Sequence, residues 1–104
     1  MANQIAFLYW TAPSNEAAQA LVSELISKKL IGCANILPGV SMYTWQGAVE
    51  NGAEIFVLCK TTPERLHAAI DFVEEHHEYD VPCITSWLAQ GTPKYAAWLA
   101  STVE

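Results

Sequence analysis

Charge is scarce in this chain of 104 residues: only 15% are Asp, Glu, Lys or Arg, and the cations are limited to Lys28, Lys29, Lys60, Arg65 and Lys94. The formal charge of −6 repels phosphate backbones, and the cations form no stripe beyond one adjacent pair, so nucleic acid is not an expected partner. No window approaches the roughly 18 apolar residues of a membrane span. Met1-Ala2-Asn3-Gln4 lacks the cationic start of a signal peptide, so a cytoplasmic address is expected. Cysteine is confined to Cys33, Cys59 and Cys83, an odd number at wide spacing that fits neither a paired zinc motif nor a disulfide scaffold. Reduced thiols are the expectation, with Cys59 and Cys33 read as small buried hydrophobes. A glycine-rich phosphate loop, an H-E-x-x-H zinc helix and a Ser-His-Asp arrangement are also missing, which leaves no legible catalytic signature.

What is present is apolar. With 52% hydrophobic residues, the chain reads as one compact α+β domain over residues 1–104. Residues 4–11 have the β-branched and aromatic content of a strand apolar on both faces. Ser14 or Asn15 caps a helix in which Ala18, Leu21, Val22, Leu25, Ile26 and Leu30 recur at three- and four-residue steps, with Gly32 as its stop. Residues 33–37 return to strand, and Pro38-Gly39 is expected to break or bend it. Thr61 or Thr62 caps a second helix with Pro63 in its first turn and an apolar stripe of Leu66, Ala69, Ile70, Val73 and His77, ended before Pro82. Residues 83–89 form a last strand, and 94–102 a short helix carrying Trp98. The order βαββαβ with a terminal helix predicts a ferredoxin-like fold, both crossover helices on one face of a four-stranded sheet.

The hairpin between these helices carries the strongest signal. Asn51-Gly52 suits a two-residue type I′ turn, which places Trp45 opposite Leu58 and Tyr43 opposite Lys60. The arm after that turn is apolar on both faces, Ile55, Val57 and Cys59 on one and Phe56 and Leu58 on the other. Two helices can cover only one face, and large apolar patches are uncommon on monomers, so a second copy of the chain is the expected cover. The alternative is that the C-terminal segment, rich in Ala and Trp, folds across that face.

Several of these residues form a pattern. Cys33-Ala34-Asn35-Ile36-Leu37-Pro38, then Ser41, Tyr43, Trp45, Gly47, Glu50 and Glu54, then Lys60-Thr61-Thr62, resemble the central signature of the CutA family, the divalent-cation tolerance proteins. Thr11-Ala12-Pro13 and His77-x-Tyr79-x-x-Pro82 resemble its flanking motifs. The resemblance implies a homotrimer similar in plan to the PII signalling proteins and a link to copper and other divalent cations, with no established enzymatic reaction. The chain departs from the pattern at Trp10, where some members have Cys, at Glu78 in place of Pro, and at Cys83 in place of Glu.

Two candidate sites emerge. Around residues 71–83, Asp71, Glu74, Glu75, Glu78 and Asp80 surround His76 and His77, with Cys83 beyond a proline turn; carboxylates concentrate cations, and imidazole with thiolate suits copper or zinc. The structural alternative is that the histidines meet the helix dipole and the acids form a solvated face. The second set is Tyr43, Trp45, Glu54 and Lys60 on one hairpin face, where the lysine beside an aromatic ring suits a small anion in a subunit cleft, or simply packs between subunits. The expected function is therefore a trimeric, copper-linked divalent-cation protein without catalysis. The alternative is an enzyme or a PII-like signalling protein with a small metabolite in the intersubunit cleft.

Overall fold

The structure, a computed structural model, describes residues 3–104. Strand β1 (Gln4–Ala12) leads into helix α1 (Asn15–Ser27), the long strands β2 (Cys33–Trp45) and β3 (Ala48–Thr61) follow, then helix α2 (Pro63–His76), strand β4 (Ile84–Gln90) and helix α3 (Pro93–Thr102). All neighbours in the sheet are antiparallel, in the order β2-β3-β1-β4. This is the ferredoxin-like α+β arrangement that the element order predicts.

The core lies between the sheet and α1 and α2. Leu8, Trp10, Val57 and Cys59 point from the sheet against Ala18, Val22 and Leu25 of α1 and Ala69 and Val73 of α2. Each fully buried aliphatic side chain contributes about 1.5–3 kcal/mol. The burial of Cys59 pushes its thiol up to about 12, so it behaves as a hydrophobe. Ser14 caps α1, its hydroxyl accepting from the Ala17 amide at 3.1 Å. The helix does not run to Gly32. Lys29 takes a positive φ of 58°, and its amide and that of Leu30 return to Ile26 and Leu25, a Schellman closure with lysine at the left-handed position. Gly32 serves packing instead: a Cβ there would stand 2.5 Å from Leu99 of α3.

The hairpin register differs from the sequence expectation. The turn is Gln46-Gly47, with φ of 51° and 84°, and Trp45 pairs with Ala48. Asn51 and Gly52 lie within β3, opposite Met42 and Ser41; Tyr43 faces Glu50, while Leu58 and Lys60 face Asn35 and Cys33. A turn at Asn51-Gly52 would have left residues 33–37 without a partner strand, whereas the observed turn pairs β2 along its whole length. The two registers differ by an even number of residues, so every side chain keeps its face and only its neighbours change. Pro38-Gly39 does not break the strand either. Strand β2 is an edge, where proline is tolerated, and the Phe56 ring covers Gly39 so closely that a Cβ would meet it at 2.2 Å.

The second face of the sheet is treated differently at its two ends. At one, α3 packs Ala96 and Leu99 against Ile5, with Phe7, Ala89 and Tyr95 around them. At the other, pairing of β3 with β1 stops at Ile55 opposite Ala12, so residues 40–53 project as a two-stranded arm. The arm stretches the molecule to 45 Å and its radius of gyration to 14.4 Å, against about 13 Å for a compact chain of this length. Val40, Met42 and Val49 on one side of the arm are 68%, 71% and 71% exposed, and Tyr43 and Trp45 on the other are also open. Among the described residues, no helix is long and apolar enough to cross a membrane.

Candidate functional site

The loop after α2 starts where His77 leaves the helix with an extended backbone, φ −79° and ψ 144°. Its ring then ties the loop to the sheet. The Tyr79 amide donates to Nδ1 at 3.1 Å, so the proton sits on Nε2, which donates to the Thr11 carbonyl at 2.6 Å. An edge contact from Trp10 and a tilted one from Tyr79 fix the ring plane. Tyr79 is thereby delivered to Glu54, whose Oε2 accepts from the phenol at 2.8 Å.

This docking shapes an open cavity of about 550 Å3 that runs from the base of the arm along one side of it. Thr11 comes from β1, Ser41, Met42, Tyr43 and Trp45 from β2, Glu54 from β3, and Tyr79, Asp80, Val81 and Cys83 from the loop. Partial burial pushes the Glu54 carboxyl up, but hydrogen bonds from Ser41, Tyr79 and Thr11, with His77 nearby, outweigh it and hold the group below its usual value. Glu54 is therefore an oriented anion. Burial and the Glu54 carboxylate raise the Tyr79 phenol well above its usual value. The nearby Tyr9 phenol is raised as well, by burial and then by Cys83 and Glu54.

The sequence-predicted residues divide between two places. Tyr43, Trp45 and Glu54 line the cavity, but Lys60 does not: it is buried at the far end of β3, where its Nζ donates to Asn35 Oδ1. The lysine and the aromatic residues share a face, as expected, yet the observed register separates them along it. Cys83, exposed and unpaired, joins the cavity; His76 does not. His76 stacks on Phe72 at 4.0 Å, its Nδ1 at 2.9 Å from the Phe72 carbonyl, and with Glu24 and Glu78 it lines a second cavity of about 340 Å3 beside α1. Among the described residues no three His, Cys, Asp or Glu side chains gather at metal-ligating distances. Sequence reasoning did not assign Thr11, Ser41 or Tyr79 to the cleft. The flanking motifs Thr11-Ala12-Pro13 and His77-x-Tyr79 were the available signal, for they meet at Glu54.

Comparison with known proteins places these motifs in context. A family described as CutA1 divalent ion tolerance protein matches residues 6–102. The divalent-cation tolerance protein CutA of Archaeoglobus fulgidus is 36% identical over 99 residues, which cover 94% of this chain and 97% of that protein. The chloroplastic protein CutA 1 of Oryza sativa is 39% identical over 97 residues, 91% of this chain, and the chain spans 55% of that relative's length. Among solved structures, the A. fulgidus protein, described as a periplasmic divalent cation tolerance protein, matches with a TM-score of 0.92 at 36% identity, covering 96% of this chain and 99% of that one. CutA1 from Oryza sativa matches with 0.92 at 36% identity, covering 100% and 98%.

Proposed function

Because the chain belongs to the CutA1 family of divalent ion tolerance proteins, we propose that it serves tolerance to divalent cations, copper among them, as a cytoplasmic homotrimer that binds its ligands without transforming them. The observation that carries the assembly is the arm. A two-stranded ribbon is marginal in water by itself, and this one exposes Val40, Met42 and Val49 on one side and Tyr43 and Trp45 on the other. Copies of the chain packed around the arm cover Val40, Met42 and Val49 and close the Tyr43 and Trp45 side into a cleft between subunits, in the manner of a PII-like trimer. Light scattering at micromolar concentration tests this: a mass three times the 11.4 kDa chain is expected, and a monomer mass would overturn it.

The cation arm of the reading centres on the loop after α2. Cys83 is the exposed soft donor and suits Cu(I) or zinc, while His76, in the other cavity, keeps Nε2 for an ion of its own. His77 joins only by surrendering the Thr11 carbonyl or the Tyr79 amide. Calorimetry with copper and zinc on the native protein, on Cys83→Ser and on His76→Ala/His77→Ala tests the assignment. Loss of affinity should be largest for Cys83→Ser; equal affinity in all three would move the site elsewhere.

A second reading is favoured by the cavity itself. At about 550 Å3 it has the volume of a small-molecule cleft, and it opens where a neighbouring subunit would meet the arm. A PII-like protein that senses a small metabolite there fits the same assembly.

A further inference from the structure

The chemistry of this cavity selects the class of its ligand. We propose that the cavity at the base of the arm takes a small organic cation, an alkyl- or arylammonium, whose charge faces Glu54 and Asp80 and whose apolar body lies against Tyr43, Trp45 and Tyr79. The proposal rests on the reading of the cavity as a ligand cleft.

Three observations carry it. The first is sign: Glu54 and Asp80 line the cavity and no Lys or Arg does, because the register puts Lys60 at the far end of β3, where it bonds Asn35. The small anion expected from sequence depended on that lysine, and its removal leaves the site negative. The second is preorganisation. Glu54 is held by the Tyr79 phenol at 2.8 Å, with the Ser41 and Thr11 hydroxyls lining the same cavity, so its charge is oriented before a ligand arrives. The hydroxyls do not neutralise it, and the carboxylate keeps its attraction for a cation. The third is the lining. Two tyrosines and a tryptophan line the cavity with the two carboxylates; aromatic faces attract ammonium groups within about 6 Å of a ring centroid, so this lining suits an ammonium with a carbon skeleton. A bare divalent ion needs converging donor atoms, and among the described residues no such group of three exists. The cavity volume of about 550 Å3 also far exceeds what an ion needs; water itself occupies about 30 Å3.

The test uses the assembled protein in buffer with EDTA, so that metal at Cys83 does not contribute. Benzyltrimethylammonium, benzyl alcohol and benzoate serve as probes of similar size and different charge, titrated by ligand-observed NMR. The cation is expected to bind best and benzoate worst. Glu54→Gln and Asp80→Asn, each checked by light scattering for unchanged mass, should weaken the cation roughly tenfold and several-fold, with little effect on benzyl alcohol. Trp45→Leu should weaken it by several-fold as well. If benzoate or benzyl alcohol binds as tightly as the cation, or if neither carboxylate variant changes the affinity, the organic-cation class is wrong while the cleft survives. If none of the three probes binds the intact assembly, the ligand cleft itself is lost and the proposal falls with it.

Discussion

At one end of the sheet face turned away from α1 and α2, the chain supplies its own cover: α3 lays Leu99 against Ile5 and reaches Gly32 so closely that no side chain fits there. At the other end, Tyr43 and Trp45 lie on the same face, flanked only by the loop after α2 and still largely exposed, and Val40, Met42 and Val49 stand open behind. Both ends are apolar, yet only one is finished within the subunit. The finished end also holds its polar groups inward, Lys60 on Asn35 and Cys33 Sγ 3.2 Å from the Tyr95 hydroxyl, whereas the open end gathers carboxylates around a cavity. One end belongs to folding, and the other is left for assembly and binding.

The sharpest way to break the comparison is to change both kinds of position and ask which property fails. Val57, fully buried against the helices, belongs to folding: Val57→Asp places an unpaired charge in the core, which costs several kcal/mol and unfolds the subunit. Leu99→Ala, at the covered end, leaves a cavity and should cost about 2–5 kcal/mol in denaturant unfolding. Met42→Asp on the arm should leave the far-ultraviolet spectrum of the subunit intact and reduce the mass seen by light scattering. If Met42→Asp keeps the mass of the native assembly, the arm is not the interface.

This division was partly legible in the sequence. The element order, the Ser14 cap, the start of α2 at Pro63 and the two-faced strand followed from periodicity and local backbone preference, which act within a few residues, although the Thr62 side chain makes no capping bond. The register did not, because Gln46-Gly47 and Asn51-Gly52 are both competent turns and the choice between them is made by pairing at residues 33–37, far along the strand. The cleft inherited that error: Tyr43, Trp45 and Glu54 were found because parity is preserved, and Lys60 was misplaced because distance along the strand is not. The role of His77 was hidden for a related reason. Its bond from the Tyr79 amide is local, but its bond to the Thr11 carbonyl depends on a chain crossing that no local pattern encodes.

The smallest effect separates the two ends by pH. The folded Glu54 carboxyl lies below its ordinary value of 4.5, so ionised Glu54 adds stability that is complete above that value and drains away as pH falls from about 4.5 through the folded value. At the covered end, the Tyr95-Cys33 pair contains no carboxylate. Burial and the neighbouring thiol raise the Tyr95 phenol, and burial with Glu54 raises that of Tyr79, so both phenols add stability that is present below their ordinary value of 10.0 and lost as pH rises through the folded values. Acid should therefore loosen the arm end, and alkali both ends. Tyr79→Phe removes one donor to the Glu54 carboxylate, at a cost of about 1 kcal/mol near neutrality. It should also move the folded Glu54 value toward 4.5, flattening the acid limb of a stability profile while the part of the alkaline limb due to Tyr95 persists. An acid limb identical in Tyr79→Phe and the native chain would show that the phenol does not hold the carboxylate, and that the two ends differ in cover but not in electrostatics.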